Sequence, residues 1–265
     1  MKRILALGAL AAVLLTAVGC YTNPVTGRQY AVMTSSGSEL QLGVQAFSEI
    51  KAKQSLSNDS TANARVRRVG QRIARAVGAQ LPGAQWEFVV FESPELNAFA
   101  LPGGKVGVYT GLLKLASTDD ELAVVMGQEI GHAVARHGGK RMTEAALIGL
   151  AGAAGAMAVD KNYGSQNRDL FMVAYGGIST LGVVLPHSRG DESEADIMGL
   201  QYAAQAGYDP GAAVVFWKKM VAASKGPQLP KWLSTHPPGA QRIEDLRAAA
   251  PAYRPLYEAN RGRQQ

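Results

Sequence analysis

Gln128-Glu129-Ile130-Gly131-His132 is the stretch on which the reading of this 265-residue chain turns. It lies inside a helical pattern. Upstream, Thr118-Asp119-Asp120-Glu121 reads as a capping box, with acids gathered where a helix dipole favours them. Leu122, Val125, Met126, Ile130 and Ala133 then repeat at the 3.6-residue period, and Gly138-Gly139 predicts a helix end near His137. Residues four apart turn through about 400°, so positions 128 and 132 project from nearly one face.

Two donors on one helix face can share a metal ion, and an acid beside the first can take the proton of an attacking water. With His at both outer positions this is the His-Glu-x-x-His pattern of zinc peptidases. Glu129 and His132 stand as that chemistry requires, while Gln128 holds the first donor position. An amide oxygen can bind zinc, but it is a weaker, harder, neutral donor than imidazole. A third donor must come from another segment. Ser188-Arg189-Gly190-Asp191-Glu192-Ser193-Glu194-Ala195-Asp196 offers Glu192, with Asp196 one turn later placed to hydrogen-bond a ligand imidazole and fix its tautomer. His137 is offset from His132 by about 140° on a continuous helix and is not counted as a ligand. His187, just before the acidic segment, is the reserve candidate.

The company these motifs keep resembles the HtpX-like zinc metallopeptidases, a family that includes periplasmic lipoprotein quality-control proteases. The resemblance runs through Asn23-Pro24-Val25-Thr26-Gly27-Arg28 and Asn97-Ala98-Phe99-Ala100-Leu101-Pro102-Gly103-Gly104. It continues through Glu129 to His137, Ser188-Arg189, Glu192-x-x-Ala195-Asp196 and Ser234-Thr235-His236-Pro237, with Arg242 following. It implies an α+β fold, a mostly helical zincin-type domain with a small sheet whose edge strand lines the active-site cleft. It implies one Zn2+ ion, held by His132 and Glu192 with Gln128 at the third place, and Glu129 as general base. Asp196 and Arg189 would support the ligands from behind. His236 would approach the metal, and Asn97, Ala98, Phe99 and Ala100 would align an extended substrate by main-chain pairing.

The remaining chain is read around this centre. Met1-Lys2-Arg3 and the apolar run Ile4–Val18 form a secretory signal, and the chain's one cysteine, Cys20, follows Ala17-Val18-Gly19 as in a lipobox. Residues 1–19 are therefore expected to be a lipoprotein signal peptide and 20–37 a lipidated tether. The metallopeptidase-like domain is expected over 38–250, and a basic polar tail over 251–265. Tyr21 after the cysteine, in place of Asp, points by resemblance to an outer-membrane lipoprotein facing the periplasm. Removing Lys2 and Arg3 lowers the net charge from +6 to +4. That excess lacks the basic-aromatic patch a nucleic-acid binder needs, so no nucleic-acid partner is expected.

Helices are expected over Glu39–Ala52, with Leu40, Leu42, Val44, Phe47 and Ile50 inward, and through Val66, Val69, Ile73 and Val77. A strand is expected at Trp86–Phe91, a hairpin from Asn97 to Thr110, and further helices over Ser193–Gln205 and from Asp209-Pro210 to Ala223. Two weakly polar stretches, Ala145–Val159 and Leu170–Pro186, are short and glycine-laden and read as buried or membrane-surface helices. Two functions suit the whole better than an envelope-tethered scaffold with no client cleft, which only the lipid tether and basic tail favour. One is an envelope metalloendopeptidase that hydrolyses misfolded or unassembled proteins. The other, suggested by Gln128, is an inactive relative that binds extended clients as a chaperone or adaptor.

Overall fold

The computed structural model describes residues 19–163, 188–223, 236 and 240–262. The chain divides into two units. The smaller comprises residues 1–23, 27–35 and 138–185, and the larger comprises 24–26, 36–137 and 186–265.

In the smaller unit, β1 (Gly19–Thr22) and β2 (Gln29–Val32) pair antiparallel, so the segment expected as a tether carries a hairpin. Asn23 N–H donates to Arg28 carbonyl across its turn, and Gly27 takes a left-handed φ of 71° there. Cys20 is exposed. Most of the smaller unit's described helix belongs to α5 (His137–Tyr163), whose Leu147, Leu150 and Met157 are exposed. Ala145–Val159 is thus not a buried helix where its side chains are described. Among the described residues no helix is long and apolar enough to cross a membrane. Leu170–Pro186 and His187 lie outside the described residues.

The larger unit begins with α1 (Ser36–Lys53) and α2 (Ser60–Val77). Asp59 caps α2 by accepting from Thr61 and Ala62 N–H, and Val66, Val69, Ile73 and Val77 are all buried on one stripe. Each such side chain contributes about 1.5–3 kcal/mol on burial. On α1 the inward face is instead Glu39, Gly43 and Phe47, and Leu42 and Val44 are exposed. They fall off the i, i+4 row that Glu39 and Phe47 define.

The sheet of this unit has the order β3-β5-β4. Strand β3 (Glu87–Phe91) runs parallel to β5 (Lys105–Tyr109), and β4 (Ala98–Leu101) pairs antiparallel with β5 through the Pro102–Gly104 turn. Strand β4 is one edge of this sheet and packs against the central helix. After the short α3 (Thr110–Leu115) comes that helix, α4 (Asp119–Val134), opened by the Thr118–Glu121 capping box. It is buried along almost its whole length.

Helix α4 packs most extensively on α6 (Arg189–Gln205). Their seam is built from glycine. A Cβ at Gly199 would stand 2.9 Å from Gln128 N, and one at Gly127 would stand 3.0 Å from Gly199 O. This close approach sets the last turns of α4 against the first turns of α6. Helix α7 (Ala212–Ala223) buries Phe216, Trp217 and Met220, and α8 spans Ala240–Ala249. The expected polar tail is instead a 3-10 turn at Ala250–Tyr253 and α9 (Arg254–Asn260), which packs on α6. Gly207, at φ 77°, ends α6 against Asn260, and no room for a side chain remains between them.

Candidate active site

The last two turns of α4 carry Gln128, Glu129 and His132, all at least nine-tenths buried. The helix then ends three residues sooner than Gly138-Gly139 predicts. Arg136 adopts φ 54°, a left-handed conformation that costs a non-glycine residue about 1–3 kcal/mol. Its guanidinium holds the buried Glu39 carboxylate through Nη2 at 2.8 Å and Nε at 3.1 Å, which offsets that cost. The break folds His137 back beside His132, Nδ1 to Nδ1 at 2.9 Å. The 140° offset of an unbroken helix does not apply.

From α6, Glu192 comes within 3.3 Å of His132 Nε2. Arg242 of α8 donates from Nη1 to Glu192 Oε2 at 2.5 Å, and from Nε and Nη2 to Asp196 at 2.7 Å each. Its guanidinium also lies 3.7 Å from the centre of the Trp217 ring. Asp196 therefore supports Arg242, not an imidazole, because the rigid guanidinium fork takes both its oxygens. Arg189 is exposed at the start of α6 and is not brought to the site. The arginine that does the supporting is Arg242, which the motif reading placed only as a trailing residue. Its buried charge is paired with two carboxylates some fifty residues away, a relation without local signal.

His236 stands over the same group. Its Nδ1–H donates to both Glu192 oxygens, at 3.0 and 3.1 Å, and its Nε2 is 3.4 Å from Glu129 Oε1. Burial pushes the His236 imidazolium down, but the Glu129 and Glu192 carboxylates outweigh it and raise it above its ordinary value. Burial dominates at His132 and pushes it down to about 3, so this ring is neutral at pH 7, as a metal ligand must be. Burial pushes Glu192 up, yet its bonds with His132 and His236 hold it well below the usual carboxylate range.

The Gln128 amide faces two ways. One end lies 3.1 Å from Glu129 Oε1, and the other lies 2.9 Å from His132 Nε2 and 3.2 Å from Arg242 Nη2. Nitrogen toward the carboxylate and oxygen toward Arg242 satisfies both ends. The oxygen end is also 3.4 Å from Glu192 Oε2.

These donors suit one metal ion. Ligands at about 2.0–2.1 Å from a tetrahedral centre lie about 3.3 Å apart. His132 Nε2 and Glu192 Oε1 have that separation, and their partners are an imidazole nitrogen, a carboxylate and an amide oxygen turned to one point. His132, Glu192 and His236 form one buried group able to hold a cation, and His137, Asp191 and Glu194 form a second. The second was not anticipated from sequence, where an acidic helix start reads as dipole and solvation. Of the expected substrate strand, Ala98 to Ala100 lie on β4, and Asn97 immediately precedes it. Asn97 carbonyl accepts from Tyr109 N–H and extends the β4–β5 pairing.

The family model described as Peptidase family M48 matches residues 60–250, more than half of the chain. The mitochondrial metalloendopeptidase OMA1 of Arabidopsis thaliana is 39% identical over 176 residues, covering 66% of this chain and 34% of the relative. OMA1 of Schizosaccharomyces pombe is 32% identical over 229 residues, covering 84% and 64%. The beta-barrel assembly-enhancing protease of Escherichia coli is 27% identical over 242 residues, covering 89% and 48%. The chain thus spans from about a third to under two thirds of these relatives' lengths.

Proposed function

Because this chain belongs to peptidase family M48, we propose that it is a zinc-dependent metalloendopeptidase of the cell envelope that cleaves extended or misfolded proteins. The observation that carries the reading is the convergence of His132, Glu192 and the Gln128 amide beside Glu129. A zinc ion held there supplies Lewis acidity, polarising a peptide carbonyl and acidifying water at neutral pH. Glu129 takes the proton of the attacking water and returns it to the leaving amine. His236, bridging Glu129 and Glu192, covers the site at rest and must swing aside or turn toward the substrate carbonyl. Arg242 holds Glu192 in place. Strand β4, an edge of the sheet, aligns substrate main chain by strand addition.

Gln128 sets the level of activity. Gln128→His replaces an amide donor by an imidazole and should raise zinc affinity by well over roughly tenfold. Hydrolysis of an unfolded protein such as casein should appear or increase in that variant. It should vanish when Glu129→Gln is added, since that carboxylate is needed for proton transfer more than for holding metal. Zinc binding without hydrolysis would leave client binding as the function. Neither zinc nor hydrolysis in folded Gln128→His protein would remove the metallopeptidase reading.

The envelope location rests on the signal-like start and the exposed Cys20, read as the lipidated residue of an outer-membrane lipoprotein facing the periplasm. Cys20→Ser should then shift the protein from membrane to soluble fraction. Retention on the membrane after carbonate washing would contradict the lipid anchor.

A further inference from the structure

Helix α5 carries no charged residue from Ala145 to Val159. A helix apolar around its whole girth belongs in a protein core or a membrane. Yet Met142, Leu147 and Leu150 are 40%, 46% and 50% exposed, and Met157 is 73% exposed. At 100° per residue these four fall within an arc of about 140°. Ala146, Ala153 and Ala154, also exposed, fill the same arc. A contiguous apolar stripe left in water marks an interaction surface. From Met142 to Met157 it runs about 22 Å, short of the ~30 Å hydrocarbon core of a bilayer. It can lie along a membrane but not cross one.

The exposed Cys20 belongs to the same compact unit as α5 from residue 138 onward. Cys20 pairs with Ala31 across the β1–β2 hairpin. Two residues on, Met33 N–H donates to the buried Thr143 hydroxyl at 2.8 Å, and that hydroxyl donates to the Gly139 carbonyl. Lys140 Nζ stands 5.7 Å from the centre of the Tyr30 ring. The hairpin is thus fastened to the first turns of α5, where the stripe begins. One strand spacing and two extended residues put Cys20 on the order of 10–15 Å from Met142. A lipid on Cys20 holds this face at the bilayer, so insertion of the stripe becomes an intramolecular event at high effective concentration. A second copy or a client would have to reach it from solution.

We propose that the Met142–Met157 stripe of α5 lies in the membrane surface beside the lipid on Cys20. A helix face of this kind enters about 5–10 Å into the headgroup–acyl boundary, and stable anchoring takes two such signals. The inference rests on lipidation of Cys20 for its place at the membrane, although the stripe's own affinity for lipid can be measured without the anchor. Alone the stripe binds reversibly, so carbonate washing should still release Cys20→Ser protein.

The chain has one cysteine, and lipidation consumes its thiol, so Leu150→Cys or Met157→Cys introduces the single free one. A nitroxide placed there, in lipidated protein reconstituted into phosphatidylethanolamine–phosphatidylglycerol vesicles, should meet dissolved oxygen more than a water-soluble nickel complex. Glu144→Cys, exposed and about 120° round the helix from Leu150, should show the reverse. Equal nickel access at positions 144, 150 and 157 would overturn the proposal. If Cys20 keeps a free thiol, the lipid-anchor reading fails by itself, and the mature chain from position 20 carrying Cys20→Ser decides. A nitroxide at position 150 that enters lipid when these vesicles are added upholds the stripe, and one that stays in water refutes it. In the same chain Leu147→Glu with Leu150→Glu should weaken vesicle binding roughly tenfold or more, and unchanged binding would refute the proposal. Shielding without vesicles in a chain that sediments as a dimer would assign the stripe to a second copy. Shielding by unfolded casein but not by vesicles would assign it to clients. Either result overturns the proposal.

Discussion

The two ends of the Glu194–His137–His132–Glu192 row are alike in composition and unlike in surroundings. Each pairs one imidazole with one carboxylate, both buried. At Glu194 a threonine hydroxyl donates to the carboxylate, and His137 Nε2 lies 3.0 Å from it. At Glu192 the companions are Arg242 and His236, with Gln128 and Glu129 alongside. There Arg242 and His236 hold the Glu192 carboxylate in place beside His132. The same imidazole–carboxylate pairing thus meets different neighbours, contributed by distant segments, at its two ends.

The largest effect should come from the charge at the Glu192 end. Arg242→Met would leave Glu192 and Asp196 buried without the guanidinium between them, and breaking a buried pair of this kind costs about 3–5 kcal/mol. Urea unfolding measures it. A loss below about 1 kcal/mol would mean that His236 alone compensates the carboxylates, and the contrast between the ends would shrink.

A smaller effect should follow from the seam that both ends share. Gly199→Ala puts a methyl 2.9–3.1 Å from Gln128 backbone and Cβ, so α4 must shift away from α6. Overpacking of this kind costs about 1–3 kcal/mol. Since Glu192 and Glu194 both ride on α6, zinc affinity should fall with stability. A destabilised variant with unchanged affinity would separate the seam from the site.

The smallest effect belongs to the remote end of α4. Thr118→Ala removes a side-chain acceptor from Glu121 N–H and should cost about 1 kcal/mol. Zinc affinity should not move, and a drop there would show that the two ends of the helix are coupled.

Legibility in the sequence follows the range of the interaction. The Thr118 capping box, the α2 stripe, the β4–β5 hairpin and the Ser193–Gln205 part of α6, which begins four residues earlier at Arg189, rest on residues a few positions apart and are readable from pattern. The helix break at Arg136 is not, because the left-handed residue is held by Glu39, almost a hundred positions upstream. The apolar count on α1 misled for a similar reason. Glu39 takes a core-facing place opposite Arg136, while Leu42 and Val44 face outward. At the site, i, i+4 spacing brought Gln128 and His132 to one face. Asp196, expected to hydrogen-bond a ligand imidazole, instead accepts from Arg242, because only the fold brings the guanidinium fork to both carboxylates.

The central claim is that the cation belongs at the Glu192 end. Anomalous diffraction at the zinc edge, from crystals of the full chain grown with zinc, tests it most directly. One peak is expected about 2.0–2.1 Å from His132 Nε2, in contact with the Glu192 carboxylate and the Gln128 amide. A peak held by His137, Asp191 and Glu194 instead would contradict it.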